Sequence, residues 1–149
     1  NKINMNTKTY SLLLDFFQIS TILLILGTGS LFVNNLTFLL QILAILIISL
    51  AAWEMRRTRY YRVPDIGKLS ELVTTGIYKY IRNPMYLAQL LFMGTLVLNS
   101  NSLLRTTAFI VLLVDLLLKI RYEERLLNSF FKEFKEYLKN SWRLIPYLY

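Results

Sequence analysis

Four stretches of apolar side chains, Tyr10 to Val33, Leu36 to Trp53, Met85 to Leu98 and Leu103 to Ile120, restrict what this chain can fold into more than any other feature. A helix of about 20 apolar residues crosses a hydrocarbon core of about 30 Å, because it satisfies its own backbone polar groups and rises about 1.5 Å per residue. The first, second and fourth stretches approach that length. The third has 14 residues, reaches about 21 Å, and must either borrow length or cross incompletely. Residues upstream can extend it only through a break, since Pro84 lacks a backbone donor and drives Asn83 out of helical geometry. With 55% hydrophobic residues and a mean hydropathy of +0.45, the 149 residues read as one all-α integral membrane domain with about four transmembrane or hairpin helices.

Charge orients those helices. Lys2 and Lys8 precede the first stretch, and Arg56, Arg57, Arg59, Arg62, Lys68, Lys79 and Arg82 separate the second from the third. Lys119, Arg121, Arg125, Lys132, Lys135, Lys139 and Arg143 close or follow the fourth. Sixteen of the 17 basic residues thus fall on one side, which puts both termini and the long connector in the cytoplasm. Arg105 alone falls on the other side, where its guanidinium is expected to snorkel to head groups. Topology and contact with anionic membrane lipids account for the +8 charge, and nucleic acid is not an expected partner. The first stretch is too long for a signal-peptide core and has no clear small-residue cleavage site, so it is expected to stay as a helix. A short chain without eukaryotic targeting signals points to a prokaryotic plasma membrane.

The chain has no Cys and no His. That removes thiol nucleophiles, disulfides, imidazole bases and the usual zinc or haem ligands, so no metal site is expected. Chemistry is left to carboxylate, guanidinium, ammonium, phenol, amide and backbone groups.

The expected organisation is a helical hairpin over 1–53, an amphipathic cytoplasmic connector over 54–83, a second hairpin over 84–120 and a tail over 121–149. Gly27 and Gly29, late in the first helix, read as small residues that let helices approach closely, in preference to a nucleotide-binding pair. Asp15 and Gln18 lie one turn apart near the cytoplasmic end of that helix, reaching interfacial water or pointing inward. Asp115 and Lys119 have the i, i+4 spacing of an intrahelical ion pair, the rival being that Asp115 faces a polar cavity. In the connector, Leu69, Leu72 and Val73 have the spacing of one amphipathic turn ended by Thr74-Thr75-Gly76. In the tail, apolar residues at 126, 127, 130, 131, 134, 137 and 138 recur with a near-helical period, and Trp142, Pro146, Tyr147 and Tyr149 read as an interfacial anchor.

The segment Gly76-Ile77-Tyr78-Lys79-Tyr80-Ile81-Arg82-Asn83-Pro84-Met85-Tyr86 gathers turn formers, cations and phenols at the entrance to the third stretch. It resembles the signature of the isoprenylcysteine carboxyl methyltransferase and phospholipid methyltransferase superfamily, Gly-x-Tyr followed by Arg-His-Pro-x-Tyr, with Asn83 in place of His. Glu123-Glu124, the aromatic tail and Arg143-Leu144-Ile145-Pro146 match the same superfamily in order and spacing, so the resemblance covers the C-terminal half. Ala88 stands where Gly is frequent, and the usual Phe-Gly of the tail appears as Phe130-Phe131 or Phe131-Lys132.

The resemblance implies a membrane methyltransferase that uses S-adenosylmethionine, enclosed by the last helices and the tail. Carried over residue by residue, it assigns Tyr78, Arg82, Asn83, Pro84, Met85, Tyr86, Glu123 and Glu124 to the cofactor, and Glu123, Glu124, Arg143 and Tyr86 to catalysis. Those residue types suit the task on physical grounds also. A sulfonium methyl donor is already activated, so transfer needs alignment at about 3 to 3.5 Å and neither a metal nor a covalent nucleophile. Arginine can grip a carboxylate with two parallel bonds, and a glutamate can serve as base if the acceptor is an ammonium.

The nearest named activity is isoprenylcysteine carboxyl methylation. Phospholipid amines and small hydrophobic acids or thiols are further lipophilic acceptors. The rivals are an NADPH-dependent membrane reductase with a similar C-terminal motif and a non-enzymatic membrane adaptor.

Overall fold

A computed structural model describes residues 5–31, 35–57 and 72–147, with side chains from 9–31, 37–56 and 72–147. Five α-helices and one 3-10 turn account for these residues: α1 Met5–Gly27, α2 Asn35–Arg57, the turn Gly76–Lys79, α3 Pro84–Asn99, α4 Leu103–Phe130 and α5 Phe134–Lys139. Among the described residues there is no strand beyond an isolated parallel bridge between Ile81 and Trp142. Residues 58–71 of the connector, including Arg59, Arg62, Lys68 and Leu69, lie outside them, as does Tyr149. Leu72, Val73 and Thr74 are not helical, so the described end of the expected amphipathic turn is irregular chain.

α1 and α2 are long and apolar enough to cross a membrane, while α3 is a shorter apolar helix. α4 fails the same test because its apolar part carries Arg105, Asp115 and Lys119. The structure resolves that conflict by rotation: all three charges are buried in the bundle, while Leu103, Leu104, Ile110, Val111, Val114 and Leu118 face outward. The outer surfaces of α1 and α2 are similarly covered with exposed Leu, Ile and Phe, more apolar surface than a water-soluble monomer tolerates. Hydroxyls on these helices bond back to their own turns, as Thr21 does to Phe17 O at 2.8 Å and Ser49 to Ile45 O at 2.7 Å, so these two need no outside partner.

The two arms of each expected hairpin are not the main neighbours in space. α2 packs most extensively on α3, and α1 on α4, with no comparable contact between α1 and α2. The expected first hairpin is therefore split, each arm lining one member of the second. The core between α1, α3 and α4 is built from Ile25, Met93, Leu96, Val97, Ala108, Leu112 and Leu116.

Three boundaries differ from the sequence pattern. α1 stops at Gly27, short of Val33, and Gly29 lies beyond it. α4 continues without a break through Glu123 and Glu124 to Phe130. The tail's apolar period is then interrupted, because Phe131 is extended (φ −112°, ψ 114°) and α5 restarts at Phe134. Phe134 is buried while Phe130 is exposed, so the seven apolar positions do not share one face.

Arg105 is the clearest correction. Only 1% of it is exposed, and it does not snorkel. Its guanidinium donates to Ile25 O at 3.1 Å and to Ser100 O at 2.8 Å, tying down carbonyls at the C-terminal ends of α1 and α3. Gly29 makes room for it, since a Cβ there would stand 2.2 Å from Arg105 Nη1, whereas nothing approaches a Cβ at Gly27.

Candidate active site

The signature segment and the tail meet at the end of the bundle opposite Arg105. Gly76 opens the signature with φ +57°, and a Cβ on it would strike the Glu54 carboxylate at 2.3 Å, so both conformation and space call for glycine. Glu54 Oε2 accepts from Thr75 Oγ1 at 3.0 Å, holding this entry against the end of α2. Pro84 then occupies the first turn of α3, and Asn83 is held at φ −125°, ψ 58°, the non-helical geometry that a following proline imposes.

Residues 80–83 run beside the tail as a short parallel ladder. Trp142 N donates to Tyr80 O at 2.8 Å, Arg82 N to Trp142 O at 2.7 Å, and Asn83 N to Arg143 O at 3.1 Å. The Asn83 side chain adds a second donor to Arg143 O, also at 3.1 Å. An amide thus serves at the usual histidine position by fastening the tail.

Glu124 is the centre of this junction. Arg82 Nε donates to its Oε1 at 2.9 Å and Arg143 Nε to its Oε2 at 2.8 Å, so one buried carboxylate ties the signature, α4 and the tail together. Arg82 Nη1 also donates to the Ser141 carbonyl and to Ser141 Oγ at 3.2 Å. Tyr137 on α5 donates its hydroxyl to Tyr78 O. Burial pushes the Tyr137 hydroxyl up to about 12 against the opposing influence of Arg82, so it remains a donor at neutral pH.

Glu123 looks the other way. At about 100° per residue it lies about 160° round α4 from Arg125, and its Oε1 accepts from the Tyr86 hydroxyl at 2.7 Å. Behind Tyr86 is a polar cluster between α1, α3 and α4. Lys119 Nζ sits 5.9 Å from the Tyr86 ring centre and bonds Asp15 Oδ1 and, at 2.6 Å, Gln18 Oε1. Gln18 Nε2 in turn donates to Gln89 Oε1 at 2.8 Å. Lys119 therefore pairs with α1 rather than with Asp115 on its own helix. Asp115 is buried, and its Oδ2 and Gln89 Nε2 have no hydrogen-bond partner among the described residues. Asp15 and Gln18 point inward.

The structure thus brings together Arg82, Asn83, Glu124 and Arg143, and separately pairs Tyr86 with Glu123. Tyr78 and Met85 pack behind them with Ala51 and Val73, and Pro84 is buried at the start of α3. Sequence reasoning missed Ser141, Tyr137 and Gln89. Gln89 had a usable signal, a polar residue one turn beyond Tyr86 in an apolar helix, whereas the first two act largely through loop carbonyls that no spacing reveals. Among the described residues no cluster of Asp and Glu could hold a metal ion. Beside Glu124 a hollow of about 440 Å³ opens between α4 and α5.

A family model described as phospholipid methyltransferase matches residues 32–133. The chain belongs to that family. It is therefore a member of the wider superfamily of isoprenylcysteine carboxyl and phospholipid methyltransferases. The match takes in the signature, the acidic pair and all of α3 and α4, and stops before Arg143. No curated protein and no solved structure matches the chain. Membership in a methyltransferase family supports an enzyme acting on a lipid-like substrate in association with a membrane, which agrees with the apolar outer faces of α1 and α2.

Proposed function

We propose that this protein transfers a methyl group from S-adenosylmethionine to the amine of a membrane phospholipid. The observation that carries the reading is the junction at Glu124, where the family's signature segment, α4 and the tail converge on one carboxylate. The residues suit the donor's chemistry. Carboxylates of Glu123 and Glu124 favour its cationic and hydroxyl groups, and the guanidinium of Arg82 or Arg143 suits its carboxylate. When bound, S-adenosylmethionine supplies an electrophilic methyl on a sulfonium centre. Tyr78, Asn83, Pro84 and Met85 shape the loop that faces it.

The acid balance around Tyr86 favours an amine over a carboxyl acceptor. Asp15 pairs with the Lys119 ammonium, Asp115 is buried on the same helix as that lysine, and Glu123 meets the Tyr86 hydroxyl, so three acids face one ammonium on this side, and a cationic headgroup gains while a carboxylate is repelled. An ammonium must lose a proton before it can attack. Glu123 is the base in this reading, because it faces the Tyr86 side of the helix and accepts from that hydroxyl, whereas each Glu124 oxygen is held by a guanidinium. Tyr86 aims the Glu123 carboxylate, and Glu124 with Arg82 and Arg143 keeps the tail closed over the donor.

In this reading four helices lie in the bilayer, the tail and both termini face the cytoplasm, and the acceptor enters sideways from the lipid while the donor arrives from water. The domain is a single unit, with α1 and α2 as scaffold and the region from 84 onward as the working half. The test incubates the purified chain with methyl-labelled donor and, separately, phosphatidylethanolamine or a prenylcysteine analogue. Label in the phospholipid is the expected result. Label in the prenylcysteine alone would move the acceptor assignment to carboxyl methylation. Binding of NADPH with no binding of S-adenosylmethionine would replace the transferase with a reductase.

A further inference from the structure

Arg121, Arg125 and Asn128 recur at intervals of four and three residues and so line one face of α4. All three are exposed, and neither arginine has a hydrogen bond or ion pair with any described residue. They form one side of the hollow beside Glu124, with Phe134 and Leu138 of α5 opposite and Arg143 with Glu124 between. Glu124 is the only carboxylate in that lining, and both its oxygens are already taken by Arg82 and Arg143. The hollow therefore offers the two guanidiniums of α4, unpaired among the described residues, with an amide and an apolar wall, beside a Glu124 whose charge Arg82 and Arg143 already neutralise. It is the electrostatic opposite of the Tyr86 and Glu123 side of the helix.

Its height suits a particular ligand. Leu103 to Ile120 is an apolar length of about 27 Å, close to a hydrocarbon core of about 30 Å, so Arg121 emerges at the headgroup layer and Arg125 stands about 6 Å beyond it. Guanidinium is the side chain best matched to phosphate oxygens. We propose that this hollow binds the phosphate of an anionic, amine-free phospholipid, a lipid distinct from the methyl acceptor. A zwitterionic lipid would bring an ammonium that finds no counter-charge here. The headgroup of an anionic lipid needs none, and Phe134 and Leu138 can cover its glycerol. The proposal rests on the arginine face and the hollow, and stands whether or not the acceptor assignment is right.

The experiment titrates the full chain in neutral detergent micelles with short-chain phosphatidylglycerol or phosphatidylcholine, reading bound lipid by native mass spectrometry. Phosphatidylglycerol is expected to bind at least about tenfold more tightly, and the double variant Arg121→Gln/Arg125→Gln to lose about that factor. The variant Arg121→Lys/Arg125→Lys keeps the charge without the planar fork and should fall between, which guards against misfolding of the first. Binding of S-adenosylmethionine, measured by calorimetry on the same samples, should be unchanged. Equal affinity for the two lipids would overturn the proposal. So would displacement of the lipid by millimolar inorganic phosphate, which would make the hollow a soluble-anion site. Loss of donor binding in the glutamine variant with lipid binding intact would assign the hollow to the donor and overturn it also.

Discussion

The two ends of the bundle use arginine in opposite ways. At one end Arg105 is buried without a carboxylate and spends its donors on the carbonyls that close α1 and α3. At the other, Arg82 and Arg143 share Glu124, and Arg121 and Arg125 stand exposed at a hollow. A charge that only satisfies helix ends makes a rigid stopper. Charges that pair across loops, with donors left over, make a place that can receive something.

The largest expected effect is at the second end. Glu124→Ala leaves Arg82 and Arg143 facing each other uncompensated and unfastens the tail, and methyl transfer should fall at least about 100-fold. An unchanged rate with labelled donor would detach the Glu124 junction from the chemistry. At the first end, Arg105→Ala strands the Ile25 and Ser100 carbonyls and should cost about 2 to 4 kcal/mol of stability. Denaturant titration in micelles measures that loss, while the rate per folded molecule should stay within about twofold. Were the rate to collapse with stability intact, the division between stopper and site would be broken.

Gly29→Ala sharpens the same division at lower cost. Its Cβ would collide with the Arg105 guanidinium, and a loss of about 1 to 2 kcal/mol in thermal unfolding is expected. Gly27→Ala, where nothing is near, serves as the control. Tyr86→Phe removes the hydroxyl that aims Glu123, and about a five- to tenfold drop in turnover with little change in stability is expected.

The smallest effect is a pH dependence. Burial raises the folded-state value of Tyr137 from 10 to about 12, so its stabilising contribution is complete below pH 10 and lost as pH rises from 10 to 12. Tyr137→Phe should unfold less steeply across that window, as followed by circular dichroism.

Much of the fold could be read from the chain because bilayer length and proline geometry act locally. The shortness of α3, the break at Asn83 and the apolar outer surfaces follow from residue type and count alone. The signature and acidic pair were legible as a pattern, and they do meet. Partnering was not legible. The i, i+4 spacing of Asp115 and Lys119 suggested one pair, yet Asp15 reached Lys119 from a helix about a hundred residues away. Arg105 looked like a surface anchor because nothing in its neighbourhood reveals that Gly29 vacates room for it. The periodicity of the tail persisted across Phe131, where the backbone turns extended, so the helical face it suggested is not continuous.

α3 spans only 16 residues, about 24 Å, against a hydrocarbon thickness of about 30 Å. In the proposed four-helix arrangement the mismatch of about 6 Å falls on one flank of the bundle, where a bilayer would thin into a dimple to match it. On the function proposed above, a phospholipid acceptor in that dimple would have its polar end lowered toward Tyr86 and Glu123 before any side chain touched it. The brevity of one helix would thus perform part of the extraction that a deeper site would demand of the protein.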